Sequence, residues 1–340
     1  MTPETQSAPL VDGFGRLHDN LRISVTDRCN IRCFYCMPET GAPFVPHSEI
    51  LRYEEIEQVV RVAARLGVRK LRITGGEPLV RRDLPELVEK LAVIPGVEDM
   101  GLTTNGVLLG RLAGPLAQAG LKRLNVHLDT LDRARFEHIT RRDELHSVLS
   151  GIDAAQAAGL PVKINSVAVK GLVEPDIVPL ARFGRERGIE IRYIEFMPLD
   201  SQGLWLPDKV LRADDILALL AEGIGPLDPL PVADPRAPAL EYRFRDGGGT
   251  VGFIASVTRP FCLNCNRIRL TADGHLRYCL FAHDEMDVKG VLRDATLGGE
   301  EREEALAERI RANVRAKWIG HEINSTQFVP PPRPMYAIGG

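Results

Sequence analysis

The stretch LRISVTDRCNIRCFYC, residues 21–36, runs from a strand-like apolar segment straight into three cysteines, Cys29, Cys33 and Cys36. Gaps of three and two residues let a single loop wrap one metal centre. The remaining cysteines form a second triplet, Cys262, Cys265 and Cys279, and none lies between the groups. Disulfides are rarely distributed this way, whereas clustered thiols in a reducing compartment bind metal.

Outward from the first triplet, strand-like runs alternate with segments of helical period as far as residue 195. Strands are expected near Leu21–Val25, Lys70–Thr74, Asp99–Thr103, Arg123–Leu128, Val162–Val169 and Glu190–Phe196. They read as continuous apolar stretches, the pattern of a parallel sheet covered by helices. Among the helices, YEEIEQVVRVAARLG ends at Gly67, and DLPELVEKLAVIPG starts with Asp83 as N-cap and Pro85 in the first turn. Six βα units are too few for a complete eight-unit barrel, so the expected fold is α/β, a partial (β/α)6 TIM-like barrel with a smaller C-terminal domain over its open side. The Pro-rich stretch GIGPLDPLPVADPRAPAL, residues 223–240, marks the change of texture. The expected organisation is a flexible N-terminus over 1–13, the barrel over 14–235, a C-terminal domain over 236–330 and a tail over 331–340.

A chain of 340 residues that is 44% hydrophobic can bury a full core. A net charge of -3 without an extended Lys/Arg block argues against a general nucleic-acid or anionic-membrane surface. No basic, apolar leader and no run of about 18 apolar residues is present, which argues for a cytoplasmic protein.

Each expected strand delivers unusual residues at its carboxyl end, where barrels place function. These are the first cysteine loop, Gly75-Gly76-Glu77-Pro78, Thr103 to Gly106, His127 to Thr130, and Glu195 to Pro198, while strand five carries Lys163 and Asn165. Three thiolates hold three irons of a four-iron cluster and leave the fourth open to an external ligand. The amino and carboxylate groups of S-adenosylmethionine (SAM) fit that vacancy, and one electron then yields a 5′-deoxyadenosyl radical. The competing reading is a zinc site completed by a histidine or carboxylate. In the GGEP turn the glycines would let backbone approach a ligand, and Glu77 could accept from the SAM ammonium. Around the second triplet, His275 or His283 could complete a Cys3His zinc site. Arg267 and Arg269 beside it favour an anionic ligand instead.

The segments LRISVTDRCNIRCFYCMP, RKLRITGGEPLVRRDL, TTNGVLL, NVHLDTLD, EFMPLD, CLNCNRIRLTADGHLRYCL and the terminal Gly-Gly resemble the GTP 3′,8-cyclase family of molybdenum cofactor biosynthesis over nearly the whole chain. The resemblance implies two 4Fe-4S clusters, on Cys29/Cys33/Cys36 and Cys262/Cys265/Cys279, with SAM as cofactor and GTP as substrate. It implies hydrogen abstraction at the ribose 3′ carbon and attack on guanine carbon 8, with guanine bound at the open iron of the second cluster. By the same resemblance, SAM contacts fall on Tyr35, Gly75, Gly76, Glu77, His127 and Met197. GTP contacts fall on Arg22, Lys70, Arg72, Thr103, Lys163, Arg192, Arg267, Ile268 and Arg269, and Gly339 and Gly340 reach into the active-site cavity. His127 departs from the family pattern, which has serine there. Implied partners are a flavodoxin- or ferredoxin-type reductant, a second copy in a homodimer, and a functional link to cyclic pyranopterin monophosphate synthase. Two other functions remain open on the residues alone: a peptide-modifying radical SAM enzyme with an auxiliary cluster, and a non-catalytic zinc-stabilised binding module.

Overall fold

The computed structural model describes residues 9–339. Strands β1 (Asn20–Ser24), β2 (Lys70–Thr74), β3 (Asp99–Thr104), β4 (Arg123–His127), β5 (Val162–Ala168) and β6 (Glu190–Glu195) alternate with helices α1 (Tyr53–Arg65), α2 (Leu84–Ala92), α3 (Leu109–Gln118), α4 (Arg133–Thr140), α5 (Leu145–Ala157) and α6 (Glu174–Arg187). Beyond them come α7 (Ala213–Gly223), β7 (Leu227–Pro229), β8 (Leu240–Phe244), β9 (Thr250–Ile254), β10 (Arg267–Leu270), β11 (His275–Arg277), β12 (Met286–Asp287), α8 (Lys289–Arg293), α9 (Gly299–Arg315) and α10 (Met335–Ile338).

Local chemistry explains the main boundaries. α1 starts where the Glu55 carboxylate accepts from the Arg52 backbone N–H at 2.7 Å, and it buries Ile56, Val59, Val60 and Ala63 along one stripe. It ends before Gly67, whose φ of 102° suits a residue without Cβ. Asp83 precedes α2, but it sits in the left-handed region at φ 57° and makes no side-chain cap, contrary to the expectation; Pro85 in the first turn starts this helix.

All twelve strands form one sheet in the order β12-β11-β10-β1-β2-β3-β4-β5-β6-β9-β8-β7. β1 to β6 are parallel throughout. The C-terminal region extends both edges, with β10 joining β1 and β9 joining β6, each in parallel. The Pro-rich stretch contributes edge strand β7, a place where proline is tolerated.

The strands differ from the expectation in one respect that matters for function. They alternate. Leu21, Ile23, Ile73, Leu102, Leu124, Val126 and Ile164 are fully buried and pack with Ile56, Leu87, Leu116, Val148 and Ile177 from the surrounding helices. The intervening residues, among them Arg22, Arg72, Thr103, Asn125, His127, Lys163 and Arg192, line the opposite, inner face. A closed barrel fills that space with branched apolar side chains; here it is polar and charged. A second small core, Leu199, Val210, Val257, Phe281, Ile323 and Ile338, seats the C-terminal tail.

Residues 1–8 of the expected flexible N-terminus lie outside the described residues, but Leu10 is buried and Asp12 is tied down. Its Oδ2 accepts from Arg16 Nε at 2.6 Å and lies 3.0 Å from His18 Nε2. Burial, reinforced by the Lys317 ammonium, pushes the His18 imidazole down to about 4 against the pull of Asp12. Burial also opposes ionisation of Asp12, yet hydrogen bonds from His18 and from the Arg16 and Phe14 backbone bring it to about 2. Both groups bind protons more readily in the unfolded chain. Stability should therefore be greatest above the ordinary histidine pKa of 6.5, fall as pH drops toward 4, and fall again toward 2. Anaerobic melting between about pH 7.5 and about pH 5 should show a shallower acid loss in His18→Gln than in the parent chain; equal slopes would contradict the assignment.

Candidate active site

The first cysteine loop leaves β1 and is clasped by the turn after β2. Gly76 N–H donates to Thr26 at 2.7 Å and Glu77 N–H to Arg28 at 2.8 Å. A Cβ on Gly76 would lie 2.6 Å from the Arg28 carbonyl oxygen and 2.7 Å from that of Asp27; one on Gly75 would lie 2.7 Å from the Thr26 carbonyl oxygen. The glycines thus admit the chain's own cysteine loop.

Glu77 is buried, and its Oε1 accepts from Leu79 N–H at 2.9 Å and from Thr104 Oγ1 at 2.7 Å. Its Oε2 accepts from Asn105 N–H at 2.6 Å, which leaves room for one further donor on that oxygen. Burial raises its pKa to about 7 even though those hydrogen bonds pull it down. Asn105 continues the network to the cluster loop, with Nδ2 2.8 Å from Asn30 Oδ1 and 3.7 Å from Cys29 Sγ. Burial drives the Cys29 thiol up to about 12 and Cys36 well above its usual value, and the neighbouring thiols add to both shifts. The Tyr336 backbone N–H from the tail bonds Cys36 and opposes its rise. Bound iron would favour the ionised sulfurs, and the protein's own N–H···S contacts would add to that effect.

His127 does not stand alone. Its Nε2 lies 2.6 Å from Tyr35 Oη and 3.2 Å from Asp129 Oδ2, and Tyr35 also donates to that carboxylate. Asp129 is fixed in turn by the Val167 N–H at 2.7 Å. Burial alone would lower the imidazole, but Asp129 and Cys33 hold it well above the usual histidine range. This imidazole, held beside the Asp129 carboxylate, occupies the position expected to face the SAM ribose. Met197 lies beyond β6 and packs on the small tail core.

On the inner face, Arg269, Arg22 and Arg72 are direct neighbours across β10, β1 and β2. Arg22 Nε and Arg72 Nη1 are shut off from solvent with no hydrogen-bond partner among the described residues. Burial, then Arg269, Arg267 and Arg72, depress Arg22 well below its usual value; burial and Arg123 bring Arg72 to about 9, and burial and Arg267 bring Arg269 to about 9. A guanidinium hardly releases its proton in a protein, so a buried row of guanidiniums favours an anion as its partner. The other expected phosphate ligands are already engaged. Lys163 pairs with Glu190, Arg192 Nε is 2.5 Å from Glu190 and its Nη2 3.1 Å from Glu241, and Lys70 lies 3.5 Å from Asp234. Thr103 sits on the same face between them. Ile268 corrects its expected role: it is 1% exposed beside Leu21, so its side chain belongs to the core.

Cys262, Cys265 and Cys279 are free thiols at the start of this cationic row. Burial raises Cys262, whereas Arg267 and Lys317 overcome burial and bring Cys265 to about 6. The two histidines considered as a fourth ligand are held elsewhere, His275 Nδ1 at 3.3 Å from Asp273 and His283 Nε2 at 3.1 Å from the Val329 carbonyl oxygen. Among the described residues no three His, Cys, Asp or Glu side chains converge as one metal ion requires. The tail reaches the inner face, where the Gly339 carbonyl accepts from Arg269 Nη1 at 2.9 Å. Gly340 lies outside the described residues. Sequence reasoning missed Asp129 and Asn105 as supporting groups, although each sits in a segment already singled out, Asp129 two residues beyond His127.

This geometry, a three-cysteine loop after the first strand of a polar-lined partial barrel, defines a radical SAM enzyme. The radical SAM superfamily model matches residues 23–184, and the Molybdenum Cofactor Synthesis C model matches residues 189–323. A GTP 3′,8-cyclase from Rhodopirellula baltica is 52% identical over 100% of this chain and 94% of its own length. GTP 3′,8-cyclase 2 of Mycobacterium tuberculosis is 48% identical over 98% and 93%, and the GTP 3′,8-cyclase of Moorella thermoacetica 46% identical over 97% and 99%. The chain belongs to the GTP 3′,8-cyclase family. As a radical SAM enzyme it uses SAM and a 4Fe-4S cluster, which sets aside the non-catalytic zinc module. The fold is also that of SuiB from Streptococcus suis, with a TM-score of 0.61 at 15% identity over 92% of this chain and 69% of that chain. SuiB bound to S-adenosylmethionine gives a TM-score of 0.56 at 15% identity over 84% and 68%.

Because the Gly76 position abuts backbone carbonyls that cannot swing aside, Gly76→Ala should displace the first cysteine loop. Formation of 5′-deoxyadenosine should fall about tenfold or more, in line with a packing penalty of about 1–3 kcal/mol. Undiminished 5′-deoxyadenosine release would show that the clasp is dispensable.

Proposed function

We propose that the chain converts GTP to 3′,8-cyclo-7,8-dihydro-GTP, the first step of molybdenum cofactor biosynthesis, by hydrogen removal at the ribose 3′ carbon and bond formation to guanine carbon 8. The observation that carries this reading is the row Arg269, Arg22, Arg72, which begins beside the second cysteine triplet and in which Arg22 Nε and Arg72 Nη1 are buried with no hydrogen-bond partner among the described residues. A triphosphate supplies several negative oxygens in the geometry that a guanidinium fork accepts.

Cys29, Cys33 and Cys36 hold the cluster that, with SAM bound, supplies the 5′-deoxyadenosyl radical. Glu77 keeps one acceptor position for the SAM ammonium, and Gly75 and Gly76 bring it there by admitting the cysteine loop. Tyr35 and His127, locked by Asp129, present polar atoms to the SAM ribose, while Met197 contributes apolar contact. Arg22, Arg72, Arg267 and Arg269 bind the triphosphate, with Thr103 as a neutral donor. Lys163, Arg192 and Lys70 join only by exchanging their carboxylate partners, and Ile268 offers its backbone alone. Cys262, Cys265 and Cys279 would hold a second 4Fe-4S cluster, which would supply a binding position for the guanine. The donor set supports that choice, since both candidate histidines are otherwise engaged. Gly339 and Gly340 close the cavity over the nucleotide. A cytoplasmic setting, a flavodoxin- or ferredoxin-type reductant, a homodimer and a following cyclic pyranopterin monophosphate synthase complete the reading.

Anaerobic incubation with SAM, dithionite and GTP, followed by mass analysis, should give 5′-deoxyadenosine together with the cyclised nucleotide. Radical formation with GTP unchanged would overturn the substrate. Arg72→Met should raise KM for GTP about 10- to 100-fold, as expected for a charged hydrogen bond of about 1.5–3 kcal/mol; an unchanged KM would remove Arg72 from the binding site.

A further inference from the structure

Behind the second cysteine triplet lie two cations that the reaction as described does not use. Lys317 follows α9 and is only 5% exposed. Its Nζ donates to the Arg267 carbonyl and to the Tyr278 carbonyl, each at 2.7 Å. Arg267 lies two residues past Cys265, and Tyr278 immediately precedes Cys279. One ammonium therefore ties together the segments that carry two of the three thiols. Arg16 serves the third: its Nη1 donates to the Cys262 carbonyl at 2.7 Å and the Ile319 carbonyl at 2.8 Å, and its Nη2 to the Trp318 carbonyl at 2.5 Å. The two cations thus share the 317–319 segment and between them grip all three cysteine arms.

Their charges are balanced differently. Asp12 neutralises Arg16. Burial lowers the Lys317 ammonium below its usual value, Arg267 and Arg16 add to that fall, and the sulfurs of Cys265 and Cys279 oppose it. A lysine that merely closed α9 would bond the carbonyls of that helix; this one bonds two other segments. Keeping an ammonium buried without a carboxylate is costly unless something negative is stationed beside it.

We propose that Lys317, braced by Arg16, is the positioning residue of the second iron-sulfur site, fixing the spacing of its three cysteine arms and raising the cluster's reduction potential with a nearby positive charge. The inference rests on the reading that this triplet holds a cluster. A fixed cation stabilises the more negative, reduced form, so its removal makes reduction harder.

The test compares anaerobically reconstituted full-length parent chain, Lys317→Met and Lys317→Arg for iron content, the electron paramagnetic resonance of the second cluster and its midpoint potential, and 5′-deoxyadenosine formation. The Met variant preserves the apolar stem but removes charge and donors. It should either drop from about eight irons to about four or keep them with the second midpoint moved to more negative potential, while SAM cleavage at the first cluster continues. Arg should restore the charge-dependent part. Full iron with an unmoved midpoint in Lys317→Met overturns the proposal. A parent chain with only about four irons defeats instead the reading of the second triplet as a cluster site, which tells the two failures apart. Should Lys317→Met not fold, Arg16→Gln carries the same readout: iron loss or a shifted midpoint supports the brace, and neither overturns it.

Discussion

Three guanidiniums side by side on neighbouring strands, Arg269, Arg22 and Arg72, impose the constraint that shapes the rest of the molecule. Adjacent strands are about 5 Å apart, so like charges placed side by side on them repel one another. No side chain on those strands relieves this, because Leu21, Ile23, Leu71 and Ile73 point the other way into the helical layer. The apolar face must supply the cohesion that holds the cationic face together. That division accounts for strict alternation in strands which, being parallel and helix-covered, would ordinarily be apolar on both faces. An inner face of this kind cannot collapse into a packed barrel core, and six units leave it the width to admit a ligand.

The row exists only because the chain returns after more than 200 residues to lay β10 against β1. Asp19, just ahead of β1, is the anchor for that return. Its Oδ1 accepts from Asn266 Nδ2 at 2.6 Å and its Oδ2 from Arg236 Nη1 at 2.8 Å, so one carboxylate holds both the Pro-rich passage and the residue following Cys265. Arg277 performs the corresponding task on the other arm. Wholly buried, it donates to the carbonyls of Leu280 and Ala282 around Cys279 and pairs with Glu285, to which Arg333 at the base of the tail also binds at 2.8 Å. The second triplet, the cationic row and the tail are therefore positioned by shared ion pairs rather than by separate devices.

Much of this was legible in the sequence. Strand positions, the sites of both cysteine loops and the cations within strands follow from short-range pattern, since βα units repeat and their carboxyl ends carry unusual residues. What escaped depends on long-range partners. LRISV reads as an apolar run because one arginine among four weakly polar or apolar residues looks incidental; only its neighbours Arg72 and Arg269 show that position to be one column of a charged face. Gly75 and Gly76 announce a close approach without naming what approaches. Asp83 looks like a helix cap, yet Pro85 alone starts α2 while the backbone before it turns left-handed. Lys317 follows a helix rich in Glu and Arg, where a solvated charge is the natural reading, and nothing local shows that the chain there turns inward.

The tail illustrates how a local signal and a long-range constraint combine. Gly339 has φ 87°, and a Cβ there would fall 2.6 Å from Ser24 Cβ and 3.1 Å from Thr74 Cγ2, so backbone and packing both require glycine. Its carbonyl takes a hydrogen bond from Arg269, but a neutral oxygen satisfies a donor without cancelling a charge. The guanidinium has five N–H groups, and the repulsion with Arg22 persists after one of them is occupied. The tail and an anion can consequently share Arg269. Ile338, 1% exposed in the small core with Leu199 and Phe281, holds the chain at the depth where this sharing becomes possible. A side chain at Gly339 would push the tail off Ser24 and Thr74, and the carbonyl would leave Arg269 with it.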